Sequence, residues 1–308
     1  MTSPRIPTLP AVDVVIATRN RPELLRQALE AVLGQDYEGA VRAVVVFDQT
    51  DPDLTLERDD GRRTVTVVTN SRTPGLAGAR NTGILAGTSP LVAFCDDDDT
   101  WFPAKLRLQV DSLQDRSALT SVSGIEIEYG DRRTSRVPSP EEMTVPTLVR
   151  SRVMAAHPST VLVRRDALLG PIGLVDEEIP GSHGEDYDWI LRAAAAGGVV
   201  VVPQPLVRVL WGQSMFSQKW ATIIAATDYL LAKHPAFHED RKALGRVLGQ
   251  RAFALSALGR RREALRQAAG VARLNPRELR AYLAAAVALR VVTAPRVMDL
   301  AHRRGRGI

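Results

Sequence analysis

The sequence predicts an α/β domain with a mostly parallel central sheet, followed by an all-helical extension. Three observations carry this. Short β-branched apolar runs recur at residues 12–17 (VDVVIA), 41–47 (VRAVVVF) and 91–95 (LVAFC), as expected for strands buried on both faces. Helical patterns lie between them, the alternation that builds a parallel sheet. From about Lys219 onward the spacing is helical throughout.

Taken in order, residues 12–17 form the first strand. Asn20, Arg21 and Pro22 then supply cap and first-turn chemistry for a helix to about Leu33. Residues 41–47 are a second strand ending at Asp48, and residues 64–69 a third, more alternating one. Residues 75–86 suit a helix, and residues 91–95 a fourth strand closed by the aspartates Asp96, Asp97, Asp98 and Asp99. After a helix at about 103–113 the pattern becomes mixed. Residues 121–129 and 160–164 read as strands, separated by a loop at 131–146 rich in Pro, Ser and Arg. Residues 185–196 are a helix and 199–202 another strand. The helical tail is interrupted at His234-Pro235, Asn275-Pro276 and Ala294-Pro295. Its LGRRREALRQAAGVARLNP stretch has the spacing of a helical hairpin, faintly like a single tetratricopeptide unit, with no repeat array.

Composition narrows the class. The 308 residues are 45% hydrophobic and 24% charged, which describes a globular chain rather than a disordered one. No apolar run reaches the roughly 18 to 20 residues that span a bilayer. The start, MTSPRIPTLP, lacks the apolar core of a signal peptide, and the single cysteine, Cys95, excludes an intramolecular disulfide framework. Both point to a cytoplasmic setting. The net charge of +5 hides an asymmetry: residues 241–308 hold 16 Lys+Arg against three acids, a net +13, leaving −8 for the rest. An acidic body and a basic tail suit different partners.

In open α/β sheets ligands bind outside the carboxyl ends of the strands. Thr18, Arg19 and Asn20, then Asp48, then the aspartate run all fall at such ends. Each has a plainer reading: Thr18 to Asn20 as a helix cap, Asp48 as a turn residue, Asp99 as the cap of the next helix. Four adjacent carboxylates nevertheless repel by roughly 1 to 4 kcal/mol per close pair. A divalent cation would offset this, and all-oxygen ligands favour Mg²⁺ or Mn²⁺ over zinc. The turn after the first strand, TRNRP, lacks the glycines of G-x-G-x-x-G, and no G-x-x-x-x-G-K-[ST] occurs. Gly75, Gly78 and Gly83 give a glycine-rich segment that close helix packing explains equally well.

Together, VDVVIATRNRPELLRQALEAVLGQ, VVVFDQTDPD, GLAGARNTGI and LVAFCDDDDTWFPAKL resemble glycosyltransferase family 2, with its GT-A fold. HPSTVLVRRDALLGPIGLVDEEI and GEDYDWILRAAAAG resemble the second half of the same domain, so the likeness covers about residues 12–217. It implies a GT-A domain at 1–217, with a donor half (about 11–115) and an acceptor half (about 116–217), and a basic helical extension at 218–308. It also implies an inverting, metal-dependent transfer of a hexosyl or deoxyhexosyl group. The donor would be a UDP- or dTDP-sugar and the acceptor a glycan, lipid-linked or small-molecule hydroxyl.

By the same resemblance, Asp96 and Asp98 match the ends of a D-x-D motif: Asp96 at the ribose or ion, Asp98 on the ion. Asp97 and Asn20 would join the donor site, and Asp99 would hold the loop. Thr18, Arg19 and Asp48 would line the nucleobase pocket, and Arg80 would lie near the phosphates. Asp186, beside Glu185, matches the family's catalytic base; without the resemblance the pair reads as the acidic first turn of a helix. The chain departs from the family where Phe47 precedes Asp48 in place of a second acid. It departs again where Trp211, Gly212 and Gln213 stand in place of a metal-approaching histidine. His183, Trp189 and Trp211 are candidates for acceptor binding, with a surface loop or the core as their plainer settings. The basic tail would rest on the inner face of an anionic membrane, form a solvated helical face, or make an oligomer contact. No nucleic acid is expected. The competing readings are a nucleotidyltransferase and a non-catalytic scaffold of the same fold.

Overall fold

The computed structural model describes residues 9–114, 118–130, 132–153, 155–210 and 219–303. The described residues within Met1–Thr144, Val153–Glu177 and Glu185–Ser214 form one compact unit, and those within Val145–Arg152, Glu178–Gly184 and Met215–Ile308 a second.

The first unit is built on a sheet of strands β1 (Val12–Thr18), β2 (Val41–Phe47), β3 (Arg58–Asp59), β4 (Arg63–Thr69), β5 (Leu91–Asp96), β6 (Asp99–Trp101), β7 (Thr120–Tyr129), β8 (Arg132–Arg136), β9 (Leu162–Arg164) and β10 (Val199–Leu210). Their order is β3-β4-β2-β1-β5-β9-β7-β10-β6, with β8 paired to β7. β4, β2, β1 and β5 run parallel, as do β7 and β10; the short β9 lies antiparallel to both β5 and β7. The mainly apolar runs of β1, β2 and β5 are buried on both faces, whereas β4 alternates. Asp13 interrupts the β1 run and is wholly buried. It lies opposite Arg42 on β2, which donates to it at 3.0 Å, and Arg165 adds a second cation at 2.7 Å.

Helix α1 (Pro22–Leu33) starts on its proline and buries Leu25, Ala28, Leu29, Val32 and Leu33, one stripe of a 3.6-residue period. Helix α2 (Leu76–Ala86) is buried along most of its length because it lies directly on β1 and β2. A Cβ on Gly83 would meet Val15 at 2.4 Å and Val46 at 3.0 Å, so the glycines here serve close packing. Helix α3 (Lys105–Ser112) follows, and α1 and α3 pack into one apolar cluster with β1, β2 and β5.

Three expectations change. Asp99 caps no helix: it opens β6, which pairs with β10, and α3 begins at Lys105 without a side-chain cap. The 131–146 loop contains β8 (RRTSR), a mostly exposed edge strand whose charges mask its pairing from a composition reading. The last strand runs on to Leu210 instead of stopping at Val202. Register shifts around Pro205 let it pass prolines that cannot donate to the ladder.

The second unit is helical: α4 (Val145–Arg150), then, after α5 (Arg165–Leu169) and α6 (Glu185–Gly197) of the first unit, α7 (Trp220–Lys233), α8 (Ala236–Glu239), α9 (Arg241–Ala257), α10 (Arg261–Leu274), α11 (Leu279–Ala288) and α12 (Ala294–Arg303). Small side chains let the helices approach: Ala252, Ala268, Ala281 and Ala284 are buried together, and Trp220 meets Phe253 edge-on at 5.7 Å. Asp240 caps α9 through the amides of Lys242 and Ala243 and also receives Arg150. No helix among the described residues is long and apolar enough to cross a membrane.

Candidate active site

Register brings the predicted residues together. Thr18 lies opposite Phe47 and Ala17 opposite Asp96, so the carboxyl ends of β1, β2 and β5 present Thr18–Asn20, Asp48 and the aspartate run at one edge. Asn20 has φ 57, a left-handed conformation that asparagine tolerates well. Arg19 and Asn20 are exposed.

Each of the four aspartates has a different environment. Asp96 accepts Arg80 Nη2 on Oδ1 at 2.6 Å. Asp97 accepts Thr18 Oγ1 at 2.8 Å and Arg21 Nη1 at 3.1 Å, and Asp98 accepts the same Arg21 nitrogen at 2.7 Å. Asp99 is buried and accepts Ser159 Oγ at 2.5 Å, with His157 Nδ1 3.2 Å away. Burial pushes the carboxyls of Asp97, Asp98 and Asp99 upward, Asp99 furthest, and the neighbouring acids add to it. Thr18 and Arg21 oppose the shift at Asp97, Arg21 at Asp98 and Ser159 at Asp99. The repulsion anticipated from the sequence is present, and Arg21 offsets part of it.

Asp48 is buried yet ionised. Burial raises its carboxyl, but hydrogen bonds from Asn70 (2.8 Å), Gly75 N–H (3.1 Å) and Gln49 (2.8 Å) carry it below its ordinary value. Arg80 is buried and bridges Asp96 to Glu185, reaching the latter through Nη1 at 2.6 Å. Glu185 opens α6. Burial pushes its carboxyl up, Arg80 pulls it down and Asp186 raises it again. Asp186 is half-buried and lines a small cavity with Arg80, Phe94, Pro158, Glu185 and Trp189. Trp189 packs edge-on against Phe94 at 5.9 Å as well as lining that cavity. His183 falls in the second unit, where its N–H donates to Pro180. Trp211 lies outside the described residues.

Two residues were missed from the sequence. Arg21 reads in the sequence only as helix-start chemistry, and His157 within HPST carries no local signal of a site. His157 Nε2 lies 3.9 Å from Asp96 Oδ2, so one ligand atom from each of Asp96, Asp99 and His157 falls within 4.8 Å of the others. The residues suit a hard divalent ion. Among the described residues Asp96 Oδ2 and Asp98 Oδ1 accept no hydrogen bond; carboxylates suit Mg²⁺ or Mn²⁺, and an imidazole beside them is a softer ligand that fits Mn²⁺ better than Mg²⁺.

Residues 13–169 match the family Glycosyl transferase family 2. Among curated relatives, the chain is 30% identical over 213 residues to the succinoglycan biosynthesis protein ExoO of Rhizobium meliloti (strain 1021), covering 64% of this chain and 60% of that one. It is 27% identical over 180 residues to the Escherichia coli UDP-Glc:alpha-D-GlcNAc-diphosphoundecaprenol beta-1,3-glucosyltransferase WfgD, covering 57% of this chain and 66% of the relative. The chain therefore spans less than two thirds of either relative's length. Among solved structures, S. aureus TarS 1-349 in complex with UDP-GlcNAc superposes with a TM-score of 0.62 at 16% identity, covering 96% of this chain and 92% of that one. The mannosyltransferase PcManGT from Pyrobaculum calidifontis, in complex with GDP-Man and Mn²⁺, gives 0.55 at 19% identity, covering 94% and 83%. Likeness at these identities establishes the fold.

Proposed function

Because the chain belongs to glycosyltransferase family 2 and has the GT-A fold, we propose that it transfers a sugar from a nucleotide-diphosphate donor to an acceptor hydroxyl, with inversion and with a divalent metal. The observation that carries this reading is the convergence of Asp48 and the aspartate run at one sheet edge, joined to Glu185 through Arg80.

In this reading Asp48, with Thr18, Arg19 and Asn20 nearby, borders the nucleobase, where an ionised carboxylate accepts the imide N–H of uracil or thymine. That makes UDP- and dTDP-sugars the preferred donors. Asp96 and Asp98 would hold Mg²⁺ or Mn²⁺, with Asp97 steadying the donor side. Such an ion, when bound, stabilises the departing diphosphate. Asp186 takes the proton of the acceptor hydroxyl as it attacks the anomeric carbon. Glu185 orients the start of α6 and holds Arg80, whose guanidinium fixes Asp96. The donor half extends over about 11–115, the acceptor half over about 116–217, and the basic extension over 218–308.

The relative named as acting on a diphosphoundecaprenol-linked sugar supports a lipid-linked acceptor, and hence action at the inner face of a membrane. Acceptor contacts through His183, Trp189 or Trp211 belong to the same proposal. A nucleotidyltransferase is disfavoured because the turn after β1 offers no glycine-rich phosphate loop, and Thr18 is bonded to Asp97.

The test is donor-dependent release of nucleoside diphosphate from a panel of UDP-, dTDP- and GDP-sugars, with Mn²⁺ and with EDTA. Metal-dependent release of UDP or dTDP, reduced roughly 10²- to 10⁴-fold by Asp186→Asn, is expected. Pyrophosphate release would favour the nucleotidyltransferase, and no turnover of any donor the scaffold.

A further inference from the structure

We propose that His157 is a metal ligand of this site, through Nε2, and that Asp99 is the carboxylate that orients it; this rests on the metal-dependent reading above.

The ring is fixed from its Nδ1 side. His157 stands immediately before the turn Pro158–Thr160, whose proline fixes the backbone there. Asp99 Oδ2 lies 3.2 Å from Nδ1 and is itself held by Ser159 Oγ at 2.5 Å. The same hydroxyl accepts the Asp96 N–H at 2.9 Å, so one serine ties the orienting acid to the neighbouring ligand. The Ser159 N–H donates to Nδ1 at 3.4 Å, a longer contact than that to Asp99. Ligation through Nε2 requires the tautomer protonated at Nδ1; Asp99, the nearer partner of Nδ1, favours it over the Ser159 N–H and so frees the Nε2 lone pair.

The acid that Nε2 meets is Asp96, at 3.9 Å from Oδ2. That is too long for a hydrogen bond. It lies within the roughly 4.2 Å that two ligand atoms of one ion could span. Asp96 Oδ1 is taken by Arg80, which leaves Oδ2 for the ion. A histidine that ligates through one nitrogen while a carboxylate holds the other is a recurrent arrangement, and the orienting acid typically contributes 10- to 100-fold in metal affinity. It also gives Asp99 a reason to be buried among like charges.

Electron spin-echo modulation of Mn²⁺ bound to the full chain, with and without UDP, tests this directly. A directly coordinated ¹⁴N is expected in the unmodified protein and in His183→Gln, and its loss in His157→Gln. Asp99→Asn should keep the ¹⁴N signal while weakening Mn²⁺ binding about 10- to 100-fold. Bound Mn²⁺ without ¹⁴N coupling in the unmodified protein overturns the role of His157 and leaves the metal-dependent reading intact. Absence of Mn²⁺ binding, even with UDP, overturns both. The decisive spectrum is that of the unmodified chain, so it stands even where His157→Gln fails to fold.

Discussion

Asp96 and Glu185 share one cation: Arg80 Nη2 lies 2.6 Å from Asp96 Oδ1, and Arg80 Nη1 lies 2.6 Å from Glu185 Oε1. The first acid ends β5, and the second opens α6 beside the proposed base. A planar guanidinium spans two carboxylates in a fixed fork, which a lysine ammonium cannot reproduce. Arg80 thus ties the end of β5 to the start of α6.

The division of roles between the paired acids of α6 is separable by experiment. Asp186→Asn keeps shape but cannot accept a proton, so transfer should fall roughly 10²- to 10⁴-fold while donor affinity persists. Glu185→Gln should reduce transfer less and lower the melting temperature more, because it leaves the buried Arg80 with one carboxylate fewer. Calorimetric donor titration, steady-state transfer and thermal melts on the same preparations decide it. Parental transfer by Asp186→Asn, or a larger transfer loss in Glu185→Gln, places the base elsewhere.

At the metal side, Asp98→Ala should abolish Mn²⁺-dependent donor binding. The change removes one of several crowded carboxylates but also a partner of Arg21, so the metal-free melting temperature should stay the same or rise slightly. Donor affinity and metal dependence unchanged in this variant would remove Asp98 from the ligand set.

Glu177 supplies a pH-dependent part of stability. Although burial raises its carboxyl, hydrogen bonds from Asn81 (2.6 Å), Arg72 and the Thr73 amide lower it to about 2. A depressed folded-state value contributes stability that is complete above the unfolded value of about 4.5. It is lost as pH falls toward 2, amounting after screening to no more than about 2 kcal/mol. Melts between pH 6 and pH 2.5 should therefore show a steeper acid decline for the parent than for Glu177→Gln. Parallel curves would show that the acid contributes nothing.

The basic extension is testable on vesicles. A chain ending at Val292 loses Arg296, Arg303, Arg304 and Arg306. Its binding to phosphatidylglycerol vesicles at low salt should weaken by about 1 kcal/mol for each arginine that meets the surface, with turnover of a soluble acceptor retained. Equal binding by both chains in co-sedimentation would assign the arginines to another role.

Much of this arrangement was legible because buried strands announce themselves. VDVVIA, VRAVVVF and LVAFC mark their positions within a residue or two, and a parallel sheet then dictates that Asp48 and Asp96 share an edge. What escaped was non-local. Asp13 looks like a flaw in a strand until Arg42 and Arg165 are seen beside it. His157 gains meaning from Asp99, distant in sequence and brought close by the pairing of β5 with β9. β6 is three residues long, too short to show a period, and exists because β10 continues past Pro205 to meet it.

The Arg21 contact has a further consequence. Asp97 and Asp98 form the turn between β5 and β6, where mutual repulsion would ordinarily splay them into many conformations. One guanidinium nitrogen at the head of α1 holds both, and Thr18 pins Asp97 from the other side. The turn is therefore preorganised: the entropy of ordering it is lost when the chain folds, not when an ion or nucleotide arrives. A ligand meeting Asp98 Oδ1 encounters a carboxylate already aimed, so its affinity reflects the contacts it makes rather than the disorder it must quench.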